Sequence, residues 1–249
     1  MSIMSQSIIS IIAIFAATSL GASMVFLLRK KPNAIFSNII FGITSGIMMS
    51  ASIFGLIIPS IDQAKSLYKV AFIPIVASIL LGSLFLYLLD VLLRNKKEEK
   101  SPIRFFIAVT THNIPEGLAI GLCYYLSLIN SDSSLLMSAI SLTIGIALQN
   151  IPEGLMVSLT LYDYGYSKIK SFVMGVLSGI VEPIFAFLCL FLSLNVTYLL
   201  PWLLSFSGGA MIYITIEELI PSSKNKGRPL LGVWSFIIGF CLMIILETI

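Results

Sequence analysis

The sequence predicts an all-α integral membrane protein of eight transmembrane helices, and three observations predict it. Of 249 residues 57% are hydrophobic and only 11% charged, with a mean hydropathy of +1.01. A water-facing globule carries roughly 25% charged residues, so this chain has too little polar surface to coat one. Its apolar residues gather in blocks long enough for the ~30 Å hydrocarbon core of a bilayer. The connectors between blocks are short and alternate between strongly and weakly basic, as loops on opposite membrane faces do. Backbone polar groups in lipid are satisfied most economically inside one segment, so the blocks are helices.

The spans are placed at 8–28, 35–58, 70–93, 103–129, 135–161, 171–194, 198–220 and 230–249. The first lacks a basic segment ahead of it and runs into Arg29-Lys30-Lys31 as into a stop, so it reads as a retained helix rather than a cleaved signal. The second closes on Ile57-Ile58-Pro59. The third is followed by Arg94-Asn95-Lys96-Lys97-Glu98-Glu99-Lys100, a charged connector read as a solvated face. The fourth and fifth carry polar residues at their centres, and the sixth carries Glu182-Pro183. The seventh ends in Glu217-Glu218-Leu219-Ile220-Pro221, and the eighth is mostly apolar, with Glu247 near its end. The loops leave no room for a second folded unit, so residues 1–249 read as one transmembrane domain. Cys123, Cys189 and Cys241 fall singly in three blocks, which argues for small buried hydrophobes over disulfides or thiolate metal sites.

Lys and Arg set the orientation. Of the 15, only Lys65 and Lys69 lie on one side; the rest fall in loops 1–2, 3–4, 5–6 and 7–8, or at their borders. With an even number of spans both termini then face outside.

Polar groups sit where lipid would otherwise be. The fourth span contains Thr111-His112-Asn113-Ile114-Pro115-Glu116-Gly117-Leu118, and the fifth Leu148-Gln149-Asn150-Ile151-Pro152-Glu153-Gly154-Leu155. Asn-Ile-Pro-Glu-Gly-Leu thus recurs at an offset of 37 residues. A carboxylate at a helix centre costs ~2.5–3.5 kcal/mol on insertion scales, and Glu116, Glu153 and Glu182 have no Lys or Arg close by in their own spans, Arg104 standing at the far end of the fourth. Protonation or a bound cation would relieve that cost. His112 and Glu116 share a helix face at i and i+4, as do Gln149 and Glu153. Each proline frees the carbonyl four residues earlier. Imidazole, amide oxygen and carboxylate together suit a borderline divalent ion such as Zn²⁺, Fe²⁺ or Mn²⁺. A structural hydrogen-bonded pair would explain one His and one Glu, but a duplicated motif with a third carboxylate exceeds it.

A weaker repeat relates the second and seventh spans. Aligning Pro59 with Pro221 gives an offset of 162 that also pairs Ser45 with Ser207, Gly46 with Gly208 and Met49 with Met211. With the central duplication this suggests a 3+2+3 inverted repeat, a plan that places a transported substrate near the midplane.

These motifs resemble the ZIP (Zrt/Irt-like) family of metal transporters, in particular its bacterial branch. The likeness covers nearly the whole chain: the paired Asn-x-Pro-Glu-Gly, the Glu-Pro of the sixth span, and Glu-Glu-Leu-Ile-Pro closing the seventh. It implies a binuclear centre in which Glu116 and Glu153 bridge two metals. His112, Gln149 and Met48 would serve the first metal, and Asn113, Asn150 and Glu182 the second. Gln149 stands where many members have His, and Asn150 where some have Asp, which bears on the preferred ion. The His-rich loop of many eukaryotic relatives is absent. Glu217 and Glu218 are pathway candidates, and a homodimer is expected from the resemblance alone.

The functional expectation is uptake of divalent transition-metal cations, Zn²⁺ first and Fe²⁺, Mn²⁺ or Cd²⁺ besides, across the cytoplasmic membrane by alternating access, elevator-like as the resemblance implies. The metal is cargo; no prosthetic cofactor and no nucleic-acid partner is expected. No GxxxxGK[ST] loop is present, so ATP does not drive it directly. With no HExxH and a single His, an intramembrane metalloenzyme has little support. A proton or small-solute carrier using the same glutamates without metal is the alternative.

Overall fold

The structure, a computed structural model, describes residues 2–28, 33–93, 102–191, 197–224 and 228–248. The basic residues Arg29, Lys30, Lys31, Arg94, Lys96, Lys97, Lys100 and Lys226 therefore lie outside the described residues. Among those described, every regular element is helical.

Helix α1 (Ile3–Ser23) begins five residues before the predicted span. Ser2 caps it by accepting a hydrogen bond from the Ser5 backbone N–H. The hydroxyls of Ser7 and Thr18 turn back onto the carbonyls of Met4 and Ile14 at 2.8 and 3.3 Å, so polar residues stay in an apolar helix at little cost. A 3₁₀ turn, Met24–Leu27, ends the span.

The second span is longer than predicted because it does not stop at its proline. Helix α2 (Ala34–Ser50), capped by Asn33, passes through a π-helical stretch, Ala51–Ile57, into α3 (Ile58–Leu67). Pro59 falls in the first turn of α3, where a helix does not need its N–H. Helix α4 (Phe72–Leu93) is the third span. Helices α5 (Pro102–Asn130) and α6 (Ser133–Asp163) are the fourth and fifth, and both continue through an internal proline. Asp132 caps α6, and its hydrogen bonds from Ser134 hold this exposed carboxyl below the usual carboxylate range.

The sixth span is broken at Ile180 into α7 (Lys168–Gly179) and α8 (Val181–Phe191). Pro183 lacks the N–H that would otherwise bond the Gly179 carbonyl, and the break falls there. The seventh runs as α9 (Leu200–Ile214), a second π-helical stretch Thr215–Leu219, and α10 (Ile220–Lys224). Helix α11 (Pro229–Thr248) is the eighth.

By length and apolarity seven of these spans can cross a membrane. Helix α5 is not one of the seven, although its 29 residues reach roughly 43 Å at 1.5 Å each. Its centre holds His112, Asn113 and Glu116, and it is shielded by the other helices rather than facing lipid.

The helices pack as two groups. Helices α1, α5, α6, α7 and α8 form one, with α1 against α6 and α5 against α8. The other spans form the second, with α2 against α11 and α4 against α9. Within each group backbones meet at glycine: a Cβ on Gly154 or Gly117 would overlap the carbonyl of Thr18 or Glu182, and one on Gly46 or Gly82 that of Phe236 or Phe206. Between the groups α9 lies along α5, and α2 along α6.

Tyr124, buried on α5, ties three members of the first group. Its hydroxyl donates to Ser10 Oγ at 2.6 Å and lies 3.3 Å from Thr143 Oγ1. Tyr124→Phe is expected to cost about 1–2 kcal/mol, read as a lower melting temperature in detergent with metal transport retained.

Candidate metal centre

The duplicated hexapeptide places like residues of α5 and α6 opposite each other, and they pair crosswise. Gln149 Nε2 donates to Glu116 Oε2 at 3.0 Å, while His112 Nε2 lies 3.4 Å from Glu153 Oε2. The i, i+4 partners on one helix are therefore not bonded to each other; each reaches the carboxylate of the facing helix. The asparagines also bond carboxylates, Asn113 one on the facing helix and Asn150 one on α8. Asn113 Nδ2 donates to Glu153 Oε1 at 2.7 Å and to the Ser178 carbonyl of α7 at 3.2 Å. Asn150 Nδ2 donates to Glu182 Oε2 at 2.6 Å and to the Ile14 carbonyl of α1 at 3.3 Å.

Close approach at two glycines makes this possible. Gly117, directly after Glu116, lets the α8 backbone come against α5 at Glu182, and Gly154, directly after Glu153, admits α1 at Thr18. The two sides differ: against Gly117 stands Glu182, whose carboxylate accepts from Asn150, whereas against Gly154 stands Thr18, whose hydroxyl donates to the Ile14 carbonyl.

All seven of these predicted residues are buried, His112 and Gln149 at 1% exposure and the other five at 0%. Three oxygens of the cluster, Asn113 Oδ1, Asn150 Oδ1 and Glu182 Oε1, have no hydrogen-bond partner. Buried polar atoms are rarely left so, and each is a free lone pair of the kind a cation takes. Among the described residues no three His, Cys, Asp or Glu side chains converge as a ready metal cluster. The chemistry explains this: the chain has one His, and the positions that would add ligands of those types are Gln149, Asn113 and Asn150. A cation here would draw on amide oxygens beside carboxylates.

Met48, the eighth predicted ligand, is wholly buried on α2 in the apolar core. Among the described residues no hydrogen bond joins its sulfur to the cluster. Glu217 and Glu218 lie apart, lining a small cavity with Asp90 and Tyr213 between α4 and the seventh span. Two residues that sequence reasoning missed belong to the centre. Ser207 Oγ on α9 donates to Glu116 Oε1 at 3.3 Å, and Met211 Sδ, one turn on, accepts from Gln149 Nε2 at 3.8 Å. The signal was present in the repeat pairing of the second and seventh spans, which singled out both positions.

A cavity of about 320 Å³ lies beside the cluster, with Gln149 in its lining. Asp62 and Gln63 of α3 and Ser138 and Ser141 of α6 line it too. That volume admits a cation with several of its waters.

Comparison with known proteins gives the family of the chain. The family model described as ZIP Zinc transporter matches residues 101–247. The chain is 34% identical to zinc transporter GufA of Myxococcus xanthus over 78% of this chain and 79% of that protein. It is 31% identical to zinc transporter ZIPB of Bordetella bronchiseptica over 94% of this chain and 78% of that one. It is also 26% identical to human zinc transporter ZIP11, covering 98% and 96%.

Proposed function

The chain belongs to the ZIP zinc transporter family, and on that premise we propose that it takes up divalent transition-metal cations across the cytoplasmic membrane, Zn²⁺ foremost, at the cluster of Glu116, Glu153 and Glu182. One observation carries the reading: three wholly buried carboxylates, without a Lys or Arg in the cluster, accept from amides of which Asn113 and Asn150 leave their oxygens unpaired. A cation neutralises the first and occupies the second. The relatives are transporters by name, and the chain acts as a carrier rather than an enzyme.

Glu116 and Glu153 bridge a binuclear site in this reading. His112 and Gln149, with Met48, serve one ion; Asn113, Asn150 and Glu182 serve the other. Fe²⁺, Mn²⁺ and Cd²⁺ are further substrates, and a homodimer is the expected assembly.

Alternating access follows from the two helix groups. Glycine contacts hold backbones together inside each group, whereas across the seam side chains meet, Ser207 at Glu116 and Met211 at Gln149. The first group, which carries every carboxylate of the cluster, slides along the second as an elevator. A 3+2+3 inverted repeat of eight spans is supported by the reciprocity of the packing. Exchanging spans 1–3 with 6–8, and span 4 with span 5, turns each of the pairings named above into another. The π-helical stretches obey the same relation, since the offset of 162 maps Ile53–Ile57 onto Thr215–Leu219.

Both termini face outside, so the cavity beside Asp62 opens outward. Ser138→Cys, in a background with Cys123, Cys189 and Cys241 replaced by serine, is expected to react with a membrane-impermeant thiol reagent added outside cells, and the adduct to block uptake. Labelling from the cytoplasmic side alone would reverse the assigned orientation.

Purified protein in liposomes containing a metal-sensitive dye tests the function. Zn²⁺ and Cd²⁺ outside are expected to raise the signal saturably, with Fe²⁺ and Mn²⁺ slower. Protein-dependent flux of none of the four would overturn the proposal.

A further inference from the structure

The centre spans the seam between the helix groups, and the far side of the seam contributes a sulfur. Both hydrogens of the Gln149 carboxamide are engaged: one points at Glu116 Oε2, 3.0 Å from the nitrogen, the other at Met211 Sδ, 3.8 Å away. Glu116 in turn accepts from Ser207 at 3.3 Å. Gln149, Glu116, Ser207 and Met211 are all buried, at 1% exposure or less.

A carboxamide presents two N–H donors at one end and an acceptor oxygen at the other, in nearly the same outline. Turning the Gln149 amide by half a revolution leaves its shape unchanged and places Oε1 where Nε2 now stands. A carboxylate oxygen, an amide oxygen and a thioether sulfur would then face one point, and that is a donor set for a cation rather than for a proton donor. Two of its members move with the first helix group, whereas the sulfur belongs to the second. A thioether is a soft ligand; carboxylate and carbonyl are hard and bind Mg²⁺ and Mn²⁺ as readily as softer ions. With no Cys in the cluster and one His, thioethers are the softest groups on offer there, and Met211 supplies one in contact with Gln149.

We propose that Met211 is a specificity-determining residue of this transporter, its thioether meeting the ion at the Gln149–Glu116 end of the site and favouring soft cations such as Cd²⁺ over hard ones such as Mn²⁺. Ser207 is its companion on α9, holding the Glu116 carboxylate toward the same point. The inference rests on the metal-transport reading above and adds to it a ligand on the opposite side of the seam. Met211 and Gln149 adjoin in the present register of the two groups, and the carrier selects there.

The test compares Cd²⁺ and Mn²⁺ uptake into proteoliposomes by the native chain, Met211→Leu and Met211→Ile. Leucine conserves volume and removes only the sulfur, so folding is preserved. Changing a group that touches a metal ligand shifts metal affinity by about tenfold or more. The KM for Cd²⁺ is therefore expected to rise at least about tenfold in both variants while that for Mn²⁺ stays within about twofold, collapsing the preference. A packing role for Met211 would instead lower Vmax for both ions alike, and an unchanged Cd²⁺ to Mn²⁺ ratio in both variants would overturn the proposal. Native protein that moves neither ion would point to the transport reading itself, so the two failures are distinct.

Discussion

Glu116→Gln and Glu153→Gln are each expected to lower Zn²⁺ uptake by at least about a hundredfold without lowering thermal stability. The two readouts move apart for one reason. Each carboxylate is wholly buried with only neutral or imidazole partners: Gln149 and Ser207 for Glu116, Asn113 and His112 for Glu153. Without a cation each is a burden of ~2.5–3.5 kcal/mol on insertion scales, and the near-isosteric amide relieves it. With a cation the carboxylate is the opposite charge a desolvated ion needs. Removing one partner of a buried ion pair costs about 3–5 kcal/mol, which is a factor of more than about a hundred in affinity. Uptake kinetics with a melting curve on the same preparations check this. A variant that lost stability and flux together would speak for a structural role.

Gly154→Ala is the largest expected structural effect. The added methyl would overlap the Thr18 carbonyl oxygen and stand 2.9 Å from the Thr18 carbonyl carbon, with the Ala22 nitrogen at 3.0 Å. These are backbone atoms of α1 and cannot step aside without moving the helix. Overpacking of a well-filled interior costs about 1–3 kcal/mol and occasionally more, and a backbone clash belongs at the top of that range. Because Asn150 on the same helix donates to the Ile14 carbonyl of α1, the displacement would also disturb the centre. Gly165 is the useful contrast. Its φ of +101° disfavours any side chain, yet nothing lies within 4 Å of the added carbon. Gly165→Ala is expected to cost about 1 kcal/mol and to leave transport intact, which a thermal melt and an uptake assay together establish.

The spans were legible because lipid imposes one rule on them, and the failures at their ends have local causes. Pro59 reads as a stop in sequence, yet the π-helical stretch ahead of it lets it enter as the first turn of α3. Glu182-Pro183 reads as a polar spot inside one helix, whereas the helix breaks at Ile180; α5 and α6 continue through Pro115 and Pro152, so a proline alone does not foretell the break. The seven residues of the central cluster were legible because polar groups in apolar helices are few and the hexapeptide is duplicated. Their pairing was not. Helical spacing alone joins His112 to Glu116, whereas the facing helix offers each a better-placed partner, and which helices face is a property of tertiary packing. Ser207 and Met211 were hidden for a similar reason: serine and methionine are ordinary in a membrane helix, and only the approach of α9 to α5 gives them a role.

X-ray absorption at the zinc edge, on the purified protein loaded with one to two equivalents of Zn²⁺, decides whether the metal sits at Glu116 and Glu153. The native chain is predicted to give a shell of oxygen and nitrogen neighbours at about 2.0–2.2 Å, lost in the Glu116→Gln/Glu153→Gln double variant together with stoichiometric binding. The same spectrum and the same stoichiometry in that double variant, with the fold intact, would place the metal elsewhere and contradict the account.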